Sequence, residues 1–157
     1  MLLAILLTAA TAASDDAVRR TVLASVAGEW KNGVPFLCVD IVAPPPERGT
    51  KFWHIQLAGQ DPPAGLLPSR TTEPPALVPR SACVVGADYD GPIVLRATSK
   101  TGGVTVSVGP VSWLSAHDAR VVVLTWGGGL SHTFAEWKVQ REKDGWVTRG
   151  SKIILQE

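Results

Sequence analysis

The residues of this chain with chemistry to offer are two cysteines, three histidines, six tryptophans and a few acids. Cys38 and Cys83 form no C-x-x-C motif and have no neighbouring cation to lower a thiol pKa, which argues against a redox or nucleophilic role. An even pair in an exported chain predicts a Cys38–Cys83 disulfide instead. His54, His117 and His132 lack the close spacing of H-E-x-x-H, so no metal site is expected. His117-Asp118 would point to opposite sides of a strand and suits a turn better, with Asp118 bonding nearby backbone. Asp88-Tyr89-Asp90-Gly91 opens like a calcium loop but lacks the remaining ligands and the distal glutamate, so it reads as a turn before Pro92. Gly129-Leu130-Ser131-His132 sets a serine beside a histidine, but a triad is a spatial arrangement and no G-x-S-x-G is present. No G-K-[ST] follows its glycines, which predicts a hairpin tip and not a phosphate loop. No cofactor is expected.

Periodicity assigns Trp30, Trp126, Trp137 and Trp146 to the core. Trp53 and Trp113 are less committed. Trp53 sits between Phe52 and His54 in a stretch flanked by loops, where an exposed aromatic pair would mark a ligand or partner surface. The competing assignment puts Phe52 and Trp53 on opposite faces of an edge strand. Trp53, His54, Trp113 and His132 are therefore the candidate ligand-binding residues, and no catalytic residue is assigned.

These side chains need elements to hold them. Ser14 or Asp15 can cap a helix. Val18, Val22 and Val26 then fall on one stripe with Leu23, Ala27 and Trp30 beside it, while Asp16, Arg19 and Arg20 take other faces. Gly28, Asn32 and Gly33 end the helix. Residues 36–42 read as a buried strand, stopped by Pro44-Pro45-Pro46. Residues 51–57 read as a second strand. Residues 58–80 read as a proline-rich loop with a short helical turn after Asp61-Pro62. The disulfide would clamp both ends of that excursion and would contribute about 4 kcal/mol in the chain-entropy model. From Ser81 onward the pattern is strands joined by short turns, as at Asp90-Gly91-Pro92 and Asp144-Gly145, which makes antiparallel hairpins. The expected fold class is α+β: one N-terminal amphipathic helix on a curved antiparallel sheet of about four to six strands, with a long proline-rich loop.

The N-terminus carries a different signal. A short apolar run at residues 1–7 is followed by small residues and then by polar Ser14-Asp15-Asp16, which is how a secretory signal ends. Ala10-Thr11-Ala12 fits an A-x-A cleavage pattern. The reading is a signal peptide over residues 1–13 and a single domain over 14–157, in the periplasm or secreted. The run is too short to span a bilayer, so no stable membrane anchor is expected after cleavage. No Lys or Arg precedes it, so the signal is atypical or translation starts upstream. The alternative is a buried N-terminal helix segment.

Composition agrees with one cored domain: 45% apolar and 18% charged residues, with a formal charge of +1 from 15 basic and 14 acidic side chains. A near-neutral, interspersed surface leaves no footprint for nucleic acid and no polybasic patch for anionic lipid.

Val78-Pro79-Arg80-Ser81-Ala82-Cys83, Val111-Ser112-Trp113 and Ala119-Arg120-Val121, together with the closing stretch from Trp137 through Asp144-Gly145-Trp146-Val147, resemble small exported bacterial domains of uncharacterised function. The closing hairpin also resembles the last hairpin of cystatin-like and NTF2-like α+β folds. The resemblance implies a helix cradled by a bent sheet with a pocket between them. It implies no activity, because such folds host enzymes, binding modules and inhibitors. Three functions follow as expectations. The first is a non-catalytic exported domain that binds a protein, peptide or envelope partner. The second is a small hydrolase or isomerase that brings His54 or His132 to Asp40 or Asp88 in the pocket. The third is an inhibitor or immunity-type protein that uses the tethered loop.

Overall fold

The computed structural model describes residues 2–42, 59–68, 74–88, 91–99, 101–128 and 131–156. Helix α1 (Leu2–Glu29) runs unbroken through the segment read as a signal. The expected start at Ser14 or Asp15 is a mid-helix position. Residues 2–13 are Leu, Ala, Ile and Thr only, with no glycine or proline to stop a helix. The helix closes where expected, through turns in which Lys31 N donates to Gly28 O and Gly33 N to Trp30 O.

Eight strands follow: β1 (Phe36–Ile41), β2 (Ala76–Pro79), β3 (Cys83–Asp88), β4 (Gly91–Arg96), β5 (Gly102–Trp113), β6 (Asp118–Gly128), β7 (Ser131–Glu142) and β8 (Gly145–Gln156). The sheet runs β2-β1-β5-β6-β7-β8, and the β3–β4 hairpin joins through β4 to the start of β5. The fold class is α+β, as expected, but among the described residues the sheet has eight strands and is mixed. β1 lies parallel to both of its neighbours, β2 and β5. Its chain makes a long excursion before β5, and a long connection permits parallel pairing where a tight turn forbids it. The short-turn reasoning holds for β5 to β8, which pair antiparallel in order.

β2 corrects the reading of residues 58–80 as loop throughout. Pro79 is its last residue and β2 is an edge strand, so the missing N–H costs no central ladder bond. After Asp61-Pro62 there is only a turn, with Leu66 N donating to Pro63 O at 3.0 Å. The strand expected at 51–57 lies outside the described residues, as do the prolines at 44–46.

Alternation along the strands divides the core by sheet face. Val18, Val22, Leu23 and Val26 of α1 are each 1% exposed or less and pack on Leu37, Val39, Val106, Val108, Val121 and Trp137. Full burial of each such side chain contributes about 1.5–3 kcal/mol. The opposite face carries Phe36, Cys38, Trp126 and Val94. Gly103 belongs to this second packing. Phe36 and Gly103 each stand one position before the first β1–β5 pair, Leu37 with Val104, and the phenyl ring occupies the space where a Cβ on Gly103 would stand.

Candidate functional site

The Cys38–Cys83 disulfide is present. It joins β1 to the first residue of β3 with Cα atoms 6.4 Å apart, and both cysteines are buried. The described parts of the segment between them are pinned down. Ile41 and Gln60 exchange backbone hydrogen bonds at 2.9 Å, and Ser81 N donates to Asp61 Oδ1 at 2.7 Å. The Ser81 bonds hold the Asp61 carboxyl below its usual range.

Trp113 ends β5 and is 38% exposed, with Leu114 beside it at 58%. Its Nε1 donates to Asp15 Oδ1 of α1 at 2.8 Å. Its ring meets Trp146 of β8 edge-on, with centroids 5.3 Å apart. The Arg141 guanidinium lies over Trp146 at 5.9 Å. The following turn is closed by Leu114 N and Ser115 N, which both donate to Asp118 O, and by Ser115 Oγ, which donates to Asp118 Oδ2 at 2.8 Å. His117 sits in that turn, where its backbone N donates to Ser115 Oγ and its carbonyl accepts from Arg141 N.

His132 is elsewhere. It begins β7, is 5% exposed, and stacks on Trp126 with centroids 6.1 Å apart. Trp113 pairs with Ala119 and His132 with Trp126, at opposite ends of β6. Seven residues of strand separate those ends, about 23 Å. Trp53 and His54 lie outside the described residues, as do Tyr89, Asp90, Gly129 and Leu130.

Among the described residues Asp40 is the most perturbed acid. It is 1% exposed. Burial pushes its carboxyl up to about 6 against the weaker opposing pulls of the Ser107 hydroxyl, Arg80 and the Gly59 amide. Neither carboxylate oxygen is within full hydrogen-bonding geometry of a partner. Asp40 faces Ser107 across the β1–β5 pairing, and Gly59 packs against the carboxyl so closely that a Cβ there would overlap it. Asp40 and His132 stand three strands apart, about 14 Å, which is too far for a proton relay without an intermediary.

Among the described residues two clefts flank α1. The first, about 370 Å³, opens where the C-terminal end of the helix meets β6, β7 and β8. Trp30, Trp137 and Ile153 line it together with Thr125, Thr133 and Glu29. It holds one carboxylate and no histidine. The second, about 440 Å³, lies on the other flank, between α1 and the proline-rich segment. Among the described residues no three His, Cys, Asp or Glu side chains gather as a metal site. No described helix is long and apolar enough to cross a membrane.

The sequence singled out the aromatic corner through Trp113 but carried no sign of Asp15 as its partner. The cleft over β6 to β8 lies between helix and sheet, where the resemblance implied a pocket, whereas the cleft against the proline-rich segment was missed, since its walls are far apart in the chain. Together these features define a disulfide-linked α+β domain with an aromatic corner and two helix-side clefts. Comparison of the chain with protein-family models, with curated proteins and with solved structures finds no match.

Proposed function

We propose that this chain is an exported, non-catalytic binding or interaction domain of the cell envelope, with the tryptophan corner as its contact surface. The observation that carries the reading is that Trp113 is both exposed and fixed. The indole is held by Asp15 and Trp146, and Leu114 extends the apolar surface beside it. An aromatic already held in one orientation offers contact area with little left to lose in side-chain freedom. The disulfide supports an oxidising compartment, periplasmic or extracellular. In this reading residues 1–13 are removed on export, and a helix on a curved sheet of the cystatin-like or NTF2-like kind presents the corner.

Two measurements test it. The chain recovered from the periplasm or medium is expected to begin near Ala13 or Ser14 and to take up alkylating reagent only after reduction. A full-length cytosolic chain with two free thiols rejects export. For the surface, a photo-crosslinking side chain at position 113 is compared in cells with one at Ser99, near the other end of β5. A discrete adduct from 113 alone is expected. No adduct from 113, or equal adducts from both positions, rejects the corner as the contact surface.

A further inference from the structure

The larger cleft has a composition that selects a ligand class. Its volume of about 440 Å³ falls within the roughly 300–1,000 Å³ typical of small-molecule sites. Leu23 and Leu66, each 1% exposed, form its floor. Ala24 and Ala27 keep the helix side low, and Pro68, Pro75 and Leu77 make up the facing wall. Water in such a carbon-lined space finds few partners and is readily displaced by a hydrocarbon.

Charge enters at the rim. Among the described residues, Arg20 and Lys31 are the charged side chains that line the cleft, both are cations, and no carboxylate lines it. The stretch of helix from Arg20 to Gly28 is about 12 Å long, with Lys31 one turn beyond it. Arg20 Nη2 donates to Gly65 O at 3.0 Å, which fixes the guanidinium at the mouth. A guanidinium carries five donors, so that one bond does not exhaust it.

We propose that this cleft binds a single-chain anionic amphiphile, with the hydrocarbon tail laid along Leu23, Ala24 and Ala27 and the carboxylate at Arg20. An apolar trough fixes the tail, and the cations Arg20 and Lys31 decide the sign of the head group. The site shares no residue with the tryptophan corner and does not depend on export.

The test uses the full chain and two probes of equal tail length below their micelle concentrations, dodecanoate and dodecyltrimethylammonium, followed by calorimetry. Dodecanoate is expected to saturate a single site, and the cationic probe to bind at least about tenfold more weakly. Ala24→Trp, a change on an exposed helix position that fills the trough, is expected to weaken dodecanoate about tenfold or more. Arg20→Gln is expected to weaken it about fivefold. Arg20→Glu is expected to narrow or reverse the preference between the two probes. Absence of saturable dodecanoate binding overturns the proposal. So does equal affinity for the two probes, or dodecanoate binding unchanged by Ala24→Trp. Binding lost in Ala24→Trp but unchanged in both Arg20 variants overturns the assignment of the head group.

Discussion

The indole N–H of Trp113 and the carboxylate of Asp15 meet at 2.8 Å although 98 positions separate them in the chain. The bond ties the helix to the far end of β5. Asp15→Ala and Trp113→Phe are each expected to lower unfolding free energy by about 0.5–1.5 kcal/mol. The double variant is expected to lose less than the sum of the two, because both remove the same contact. Urea titrations of the four chains measure the coupling, and strict additivity would show that the bond contributes nothing.

The disulfide spans 45 residues. Replacing both cysteines with alanine is expected to destabilise the domain by about 2–4 kcal/mol. Equilibrium denaturation with and without reductant checks this. The double variant should be insensitive to reductant, whereas the parent chain should lose a similar amount when reduced.

Asp40 gives a pH dependence whose sign is fixed. Its folded pKa of about 6 lies above the reference 3.8, so between those values the folded chain binds the proton more strongly than the unfolded chain does. Its contribution therefore becomes unfavourable as pH rises from about 4 to 6, reaching at most about 3 kcal/mol. Asp40→Asn is expected to raise the melting temperature at pH 7.5, to have little effect near pH 4, and to flatten the profile between. A variant less stable than the parent at pH 7.5 would mean that the charged carboxylate is held favourably after all.

Gly103 has no room for a side chain because the Phe36 ring lies on it. Gly103→Ala is expected to cost about 1–3 kcal/mol. Adding Phe36→Leu, which withdraws the ring, should recover part of that loss. Thermal melts of both variants decide the point, and no recovery would place the strain elsewhere.

The readable parts of this fold are those whose neighbours are close in sequence. The valine stripe of α1 and the strand–turn alternation from Val104 to Gln156 are local patterns, and both hold. The parallel pairing of β1 is a tertiary choice. Its one local sign is that Phe36, Leu37, Cys38 and Val39 leave no polar face, as in a strand covered on both sides. Asp40 inside that run was the sign of a buried acid, since a charge in a doubly covered strand must pay desolvation. β2 was hidden by its prolines, which an edge position tolerates. The partner of Trp113 and the cleft against the proline-rich segment had no local sign, because Asp15 reaches Trp113, and Leu23 reaches Leu66, only after the sheet has assembled.

The place of β1 between β2 and β5 also sets the order in which the molecule can be built. β5 to β8 pair with sequence neighbours and close short loops, whereas β1 meets β2 about forty residues later and β5 more than sixty residues later. Pulse-labelled hydrogen exchange is expected to protect β6 and β7 before β1, and simultaneous protection would show a single concerted nucleus. β1 therefore emerges before either of the strands that flank it, and its ladder is complete only once β5 has been made.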